Sequence, residues 1–110
     1  MTTDDSSSHE LIGSELVQED ASYADIVVQF IEGLSGRLST MENALREADF
    51  EALRAAAHQL KGSGGGYGYP ILTELAAKLD KQAKARSLDD CVRQVDELKE
   101  LAKHVVVSAD

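Results

Sequence analysis

One histidine, two cations and a run of glycines make up the part of this chain whose residue types could do chemistry. His58 is followed three positions later by Lys61, and Arg54 stands four positions before it. A neutral imidazole is a nucleophile near pH 7, and histidine is an accepted covalent catalyst. Cations one helical turn away on either side would offset the negative charge of an arriving phosphoryl group. The spacing therefore suits phosphoryl transfer at His58; a surface histidine without a role is the plain alternative.

The glycines after His58 do not match a phosphate-binding loop. Five of them fall within the seven positions from Gly62 to Gly68. The Walker pattern G-x-x-x-x-G-K-[ST] follows a strand and ends on its lysine, whereas Lys61 precedes the glycines and follows a helical pattern. The dinucleotide pattern G-x-G-x-x-G fails because Tyr67 or Tyr69 stands where its last glycine is needed. The glycines therefore either end a helix, with Gly62 as its C-cap, or thin the surface of a helix that continues.

A continuous helix over residues 50–67 would turn His58 toward solvent. On a wheel of 100° per residue, His58 lies roughly 130° from the centre of the apolar stripe. Gly62 and Gly65 then flank the histidine on its C-terminal side and leave bare backbone beside it. A glycine inside a helix costs up to about 1 kcal/mol relative to alanine, so its presence needs a reason. Close approach by another macromolecule is one such reason.

The segments around this site are predicted to be amphipathic helices. From Ser22 onward, apolar residues recur at spacings of three and four, and no stretch alternates long enough for a strand. Asp49 suits the N-cap of the second long helix, Pro70 the first turn of the third, and Ser87 the N-cap of the fourth. The core positions predicted for the first long helix are Val27, Ile31, Leu34, Leu38, Met41, Leu45 and Ala48. Those predicted for the fourth long helix are Leu88, Cys91 or Val92, Val95, Leu98, Leu101 or Ala102, and Val105. Short links predict an all-α fold, an antiparallel four-helix bundle with a short additional N-terminal helix.

Charge is distributed unevenly along the chain. The formal net charge is −9, and the first twenty residues hold six acids and neither Lys nor Arg. We therefore assign residues 1–20 to an acidic flexible tail and residues 21–110 to the bundle domain. Nucleic-acid binding needs a positively charged surface of clustered Lys and Arg, which is not expected in a chain with this excess of acids. No nucleic-acid partner is therefore expected.

Location and metal content are predicted from a few further residues. The single cysteine, Cys91, cannot form an internal disulfide and is interpreted as a packed thiol. No signal-peptide pattern is present and no apolar run approaches the length of a membrane span, so we expect a cytoplasmic protein without a membrane partner. We also expect a monomer. Glu100 and His104 stand four apart but do not fill a metal site, and no cofactor is expected.

The motif around His58 resembles that of a known family. The run HQLKGS at residues 58–63, followed by Gly68, is similar to the signature of histidine-containing phosphotransfer (HPt) domains, and the similarity spans roughly residues 22–105. Those domains carry a phosphoryl group between receiver domains of multistep two-component relays. The resemblance implies that His58 is the phosphoryl acceptor, that Lys61 is the nearby cation and that the helix continues through the glycines.

The same resemblance indicates what binds near His58. We assign Arg54, Gln59, Gly62 and Gly65 to partner docking, and the expected partners are receiver domains of response regulators or hybrid sensor kinases. The leading hypothesis is a phosphocarrier, not an enzyme, with neither an ATP site nor a metal site. It would accept from the phosphoaspartate of one receiver and donate to an aspartate of another. The alternative is a bundle that docks a receiver or another protein without being phosphorylated; a purely structural subunit would leave the glycine surface unexplained.

Overall fold

Five α-helices and one 3₁₀ turn make up the described part of the chain. The computed structural model describes residues 10–109. The helices are α1 (Glu15–Glu19), α2 (Ala24–Arg46), α3 (Phe50–Gly66), α4 (Pro70–Lys84) and α5 (Leu88–Ala102), and the 3₁₀ turn is Ala21–Tyr23. Turns of three residues join α2 to α3, α3 to α4 and α4 to α5, so neighbouring helices run antiparallel. The prediction of an all-α four-helix bundle with a short additional N-terminal helix is confirmed.

The core lies between α2, α3, α4 and α5, where the predicted apolar stripes meet. Each of these helices contacts the next, and α5 also contacts α2, so the four close around one core. The fully or nearly fully buried side chains include Val27, Leu34 and Met41 of α2, Leu53, Ala57 and Leu60 of α3, Leu72, Ala76 and Leu79 of α4, and Cys91, Val95 and Leu98 of α5. Within residues 10–109, no helix is both long and apolar enough to cross a membrane.

Two predicted core positions at helix ends are wrong, and one ambiguity is resolved. Ala48 lies beyond the end of α2 and is exposed, while Ala44 is buried in its place. Leu88 is 42% exposed because it is the first residue of α5 and lies at the end of the bundle. Within α5 the buried member of the pair is Cys91, whereas Val92 is 41% exposed.

The predicted helix starts are mostly confirmed by their hydrogen bonds. The carboxylate of Asp49 accepts a hydrogen bond from the N–H of Ala52 at 3.0 Å, which caps α3. Pro70 occupies the first turn of α4, where its missing N–H has no partner to lose. Ser87 stands at the N-cap of α5, but its hydroxyl donates to the Asp90 carboxylate at 2.8 Å and does not cap the backbone.

The same backbone turn ends α2, α3 and α4. In each case two N–H groups after the helix return to carbonyls of its last turn, in the pattern of a Schellman motif. The residues at the left-handed position are Ala48 (φ 51°), Gly68 (φ 95°) and Arg86 (φ 57°). At the end of α3, the N–H of Tyr69 bonds the carbonyl of Gly64 at 2.8 Å, and the N–H of Gly68 bonds that of Gly65 at 3.0 Å. The helix therefore runs past Gly62, and the glycine that ends it is Gly68.

The segment before α2 packs on the bundle, in contrast to the predicted flexible tail through residue 20. The N–H of Ile12 donates to the carbonyl of His104 at 2.8 Å, and the N–H of Val106 donates to the carbonyl of Ile12 at 2.9 Å. Ser14 is fully buried. We call the paired segments, residues 12–14 and 104–107, the terminal clasp. Apolar periodicity could not reveal the backbone pairing or the buried serine, although Ile12, Val105 and Val107 of the clasp also pack against the core. Residues 1 to 9 of the predicted tail lie outside the described residues.

The phenol of Tyr69 ties the turn after α3 to the clasp. Its hydroxyl donates to the carbonyl of Val106 at 2.6 Å, and the side chain is fully buried. Burial raises the pKa of Tyr69 to about 12, because the phenolate would have to leave water. The ring also stacks on Phe30, with ring centroids 5.9 Å apart, and Phe30 stacks in turn on Tyr67 at 4.7 Å. The end of α3 is therefore held from both α2 and the C-terminal segment.

Candidate functional site

His58 lies in the middle of α3 and faces outward. Its neighbours Ala57 and Leu60 are fully buried, and His58 itself is exposed, as the helical wheel predicts. The 17-residue helix is capped by Asp49 at one end and closed by Gly68 at the other. An imidazole at this place is presented to solvent on a helix that is fixed at both ends.

The two predicted cations differ in what they contact. Arg54 is exposed, and its Nε lies 3.4 Å from Oδ1 of Asp80 on α4. Lys61 is half-buried, and across residues 10–109 no carboxylate lies within ion-pairing distance of its ammonium group. Of these two cations, Lys61 is the one whose charge is not already shared with a carboxylate. It is therefore the better placed to meet an added phosphoryl group.

A shallow depression on the α4 side of His58 contains two carboxylates that the sequence analysis did not connect with the site. It is lined by Glu51, Arg54, Ala55, His58 and Asp80. Asp80 belongs to another helix, far from His58 in the sequence, so no local spacing could point to it. The α4 side of His58 is thus of mixed charge, and Arg54 and Asp80 form an ion pair within the depression.

The glycines of α3 divide into two kinds by what an added Cβ would meet. A Cβ on Gly62 would find no atom within 4 Å, and Gly62 is exposed. A Cβ on Gly64 would lie 2.9 Å from Cβ of Leu72, and one on Gly65 would lie 3.1 Å from Oγ1 of Thr73. Gly64 and Gly65 therefore make room for α4, while Gly62 leaves open surface beside His58. The helical wheel assigns Gly65 to docking alone and could not reveal this contact with α4.

A groove between α2 and α3 borders His58 on its other side. It is lined by Gly36, Arg37, Thr40, Ala56 and Gln59. Gln59 is the predicted docking residue that faces this groove. Gly36, like Gly62, is exposed and would place a Cβ more than 4 Å from any neighbouring atom, so it adds bare surface on α2.

Arg37 supplies the positive charge of this groove. Its guanidinium lies 5.6 Å from the centroid of the Phe30 ring, within the range of a cation–π contact. No spacing within α2 places Arg37 beside Gln59, because the groove depends on how α2 packs against α3. We call the outward surface of His58, Gln59, Lys61 and Gly62, with Arg54 and Gly65 at its edges, the His58 face.

A comparison with protein families agrees with this geometry. The family model described as the Hpt domain matches residues 25–106, from the start of α2 to beyond the end of α5. The chain belongs to the Hpt domain family. Hpt domains are phosphotransfer modules of two-component relays, phosphocarriers rather than enzymes, and they interact with receiver domains. No match is found among curated proteins or solved structures.

The part of this Hpt domain that the structure describes contains no cluster of three or more His, Cys, Asp or Glu side chains that could hold a metal ion. The His58 face presents an imidazole, the ammonium group of Lys61 and the open backbone at Gly62. These groups suit the acceptance of a phosphoryl group from a larger partner that covers the face. The first twenty-four residues, including Ile12 and Ser14 of the clasp, lie outside the matched range.

Proposed function

We propose that this Hpt domain carries a phosphoryl group on His58 between aspartates of receiver domains. The observation that carries the proposal is the exposed His58 on an unbroken α3, with an open Gly62 one turn beyond it. A partner can bring an aspartyl phosphate to the imidazole without meeting a side chain at that position. Lys61 on the next turn would stabilise the charge that arrives.

The transfer step involves one bond made and one bond broken. The unprotonated ring nitrogen of His58 attacks phosphorus, and the bond between phosphorus and the receiver's aspartate oxygen breaks, which releases a carboxylate. The proton of the imidazole stays on the other ring nitrogen. Donation to a second receiver is the reverse step, with an aspartate carboxylate as the nucleophile. We expect the acidic pocket and divalent cation acting on the transferring group to belong to the receiver.

The His58 face and the groove between α2 and α3 support docking by shape as well as by charge. Gly62 on α3 and Gly36 on α2 leave this surface without protruding side chains. Arg37, in the same groove as Gln59, and Lys61 supply positive charge. A receiver that presents acidic groups around its aspartate would meet complementary charge there. We expect the carrier to act as a monomer, because one copy of the chain contains all the residues that the proposal uses. The cytoplasmic location expected from the sequence is part of the same proposal.

Transfer of label from a phosphorylated receiver tests the proposal. Wild type, His58→Gln and His104→Gln would each be incubated with a receiver domain carrying radiolabelled phosphoaspartate. We expect acid-labile, base-stable label on wild type and on His104→Gln, and none on His58→Gln. Label on His58→Gln would show that the acceptor is another residue. Binding of receivers without label on wild type would favour a docking module that is not phosphorylated.

A further inference from the structure

The hydroxyl of Thr73 on α4 bridges two backbone groups of α3. It donates a hydrogen bond to the carbonyl of Lys61 at 2.6 Å, and it accepts one from the N–H of Gly65 at 2.8 Å. In a regular α-helix this carbonyl and this N–H, four residues apart, bond each other. A side chain that enters the ladder in this way changes the local course of the helix. The turn of α3 that follows His58 is therefore held by a group from the neighbouring helix.

The close approach of α4 at this point depends on two glycines. A Cβ on Gly64 would lie 3.1 Å from the backbone nitrogen of Thr73, and a Cβ on Gly65 would lie 3.1 Å from its Oγ1. Thr73 itself is half-buried and stands in the first turns of α4, shortly after Pro70. Its branched side chain has few accessible rotamers, and the two hydrogen bonds to α3 select the one that places the hydroxyl here.

The residue whose carbonyl is anchored is also the cation of the His58 face. No carboxylate among the described residues pairs with the ammonium group of Lys61. The position of that ammonium group is therefore set by the backbone from which the side chain extends and by packing along its stem. Any change in the course of α3 at Lys61 moves the ammonium group relative to His58.

We propose that Thr73 is a positioning residue for phosphoryl transfer, holding Lys61 beside the phosphorylated imidazole of His58. The inference rests on the proposed function, since it needs His58 to accept a phosphoryl group. Thr73 acts through the backbone of α3 and does not contact the phosphoryl group. A threonine that only packed α4 against α3 would instead affect stability alone.

Removal and restoration of the hydroxyl distinguish these two roles. Thr73→Val keeps the branched shape without the hydroxyl, and Thr73→Ser keeps the hydroxyl on a smaller side chain. Ser87→Ala is the matched control, because it removes the hydrogen bond from the Ser87 hydroxyl to Asp90, at the start of α5 and the other end of the bundle. The rate of single-turnover transfer from a phosphorylated receiver and the amide-exchange protection of Gly65 would be measured for each variant.

We expect Thr73→Val to slow transfer by about tenfold, because small misplacements of catalytic groups have large kinetic effects. Thr73→Ser is expected to stay within about twofold of wild type, as is Ser87→Ala, whose hydroxyl is remote from His58. Protection of the Gly65 amide is expected to fall in Thr73→Val only. In a Lys61→Ala background, Thr73→Val is expected to add little further slowing, because both changes remove the same effect.

Equal transfer rates for wild type and Thr73→Val would overturn the positioning role while leaving the proposed function intact. Additive slowing in the Lys61→Ala background would overturn it too, because Thr73 would then act by another route. If wild type takes no label from any receiver, the proposed function fails and the positioning role fails with it. Should Thr73→Val not fold, Thr73→Cys replaces it, since a thiol fills the site but donates only a weak hydrogen bond.

Discussion

The hydroxyl of Ser14 donates a 2.6 Å hydrogen bond to the backbone carbonyl of Tyr67, which joins the start of α1 to the end of α3. The same oxygen accepts a hydrogen bond from the N–H of Val17 at 3.2 Å, and Ser14 is fully buried. The carbonyl of Gly68 accepts a further bond from the N–H of Glu15 at 2.8 Å. The turn that closes the helix of His58 is thus built directly against the segment before α1.

Deletion of residues 1–20 is expected to destabilise the bundle, although the acidic composition predicts a dispensable tail. It removes the partners of Tyr67 and Gly68 and half of the terminal clasp. Leaving buried polar groups unpaired costs on the order of 1–3 kcal/mol each, so the free energy of unfolding should fall by about 2 kcal/mol or more. Urea unfolding followed by circular dichroism measures this. Deletion of residues 1–9 is the control, since it keeps every contact described above; equal stability of the two truncated proteins would contradict the prediction.

Alanine at Gly68 is expected to be among the most damaging small substitutions in the chain. The φ of 95° disfavours any side chain, and an added Cβ would lie 2.5 Å from the backbone nitrogen of Leu16. Together, backbone strain and overpacking predict a loss of about 2–4 kcal/mol in the free energy of unfolding. Gly62→Ala is the matched control in the same helix and should be neutral or stabilising by up to about 1 kcal/mol. A mild effect at Gly68 or a severe one at Gly62 would mean that α3 ends near Gly62.

A larger side chain at Gly62 is expected to block docking without unfolding the bundle. Gly62 is exposed, and a Cβ there meets no neighbouring atom within 4 Å, so Gly62→Gln should leave the unfolding midpoint nearly unchanged. Receiver affinity and transfer rate should each fall by about tenfold or more, since the glutamine stands beside His58. Ser39→Gln, an exposed small-to-large change on the side of α2 that faces α5, should alter neither. Unchanged transfer in Gly62→Gln would exclude this surface from the docking contact.

Lys61→Ala is expected to slow transfer more than Arg54→Ala does. Arg54 already shares its charge with Asp80, whereas Lys61 has no carboxylate partner within residues 10–109. A surface ion pair such as Arg54–Asp80 contributes only about 0–1 kcal/mol to stability, and Lys61 has no ion pair to lose within residues 10–109, so neither thermal midpoint should move much. Single-turnover transfer and thermal unfolding measured on the same samples separate the effects. A large drop in the midpoint of Lys61→Ala together with normal transfer would assign Lys61 a structural role.

The buried phenol of Tyr69 predicts a loss of stability at high pH. Its pKa is raised from about 10 to about 12 in the folded protein, so the neutral form is favoured by folding. The contribution is fully present below about pH 10 and is lost as the pH rises toward 12. Tyr69→Phe should be less stable than wild type at pH 8 by about 1 kcal/mol, the worth of one hydrogen bond, and the difference should narrow above pH 10. A difference in the free energy of unfolding between wild type and Tyr69→Phe that stays constant to pH 11.5 in denaturant titrations would contradict the raised pKa.

The sequence predicts the parts of the structure that depend on local spacing. The apolar stripes of α2 to α5 and the exposure of His58 follow from helical periodicity, because each helix buries one face. The N-cap at Asp49 and the place of Pro70 in the first turn of α4 follow from the residue types. Asp80 and Thr73 could not be placed near the site in this way. Their positions depend on how α4 packs against α3, which no spacing within one helix encodes. Ser14 escaped prediction because a buried serine held by backbone carbonyls has no apolar pattern.

Ala109 lies against Gly13, so the two ends of the described chain are close together. A Cβ on Gly13 would lie 2.7 Å from the backbone nitrogen of Ala109, so Glu10 is about three residues, or roughly 10 Å of extended chain, from that point. A linker of about six glycine and serine residues spans such a gap, and the chain can then be opened at the turn between α4 and α5. This circular permutant keeps every neighbour of α3 but begins and ends at the opposite end of the bundle. A domain fused to the termini of this permutant would be attached at the opposite end of the bundle. The orientation of His58 relative to that domain would then be reversed.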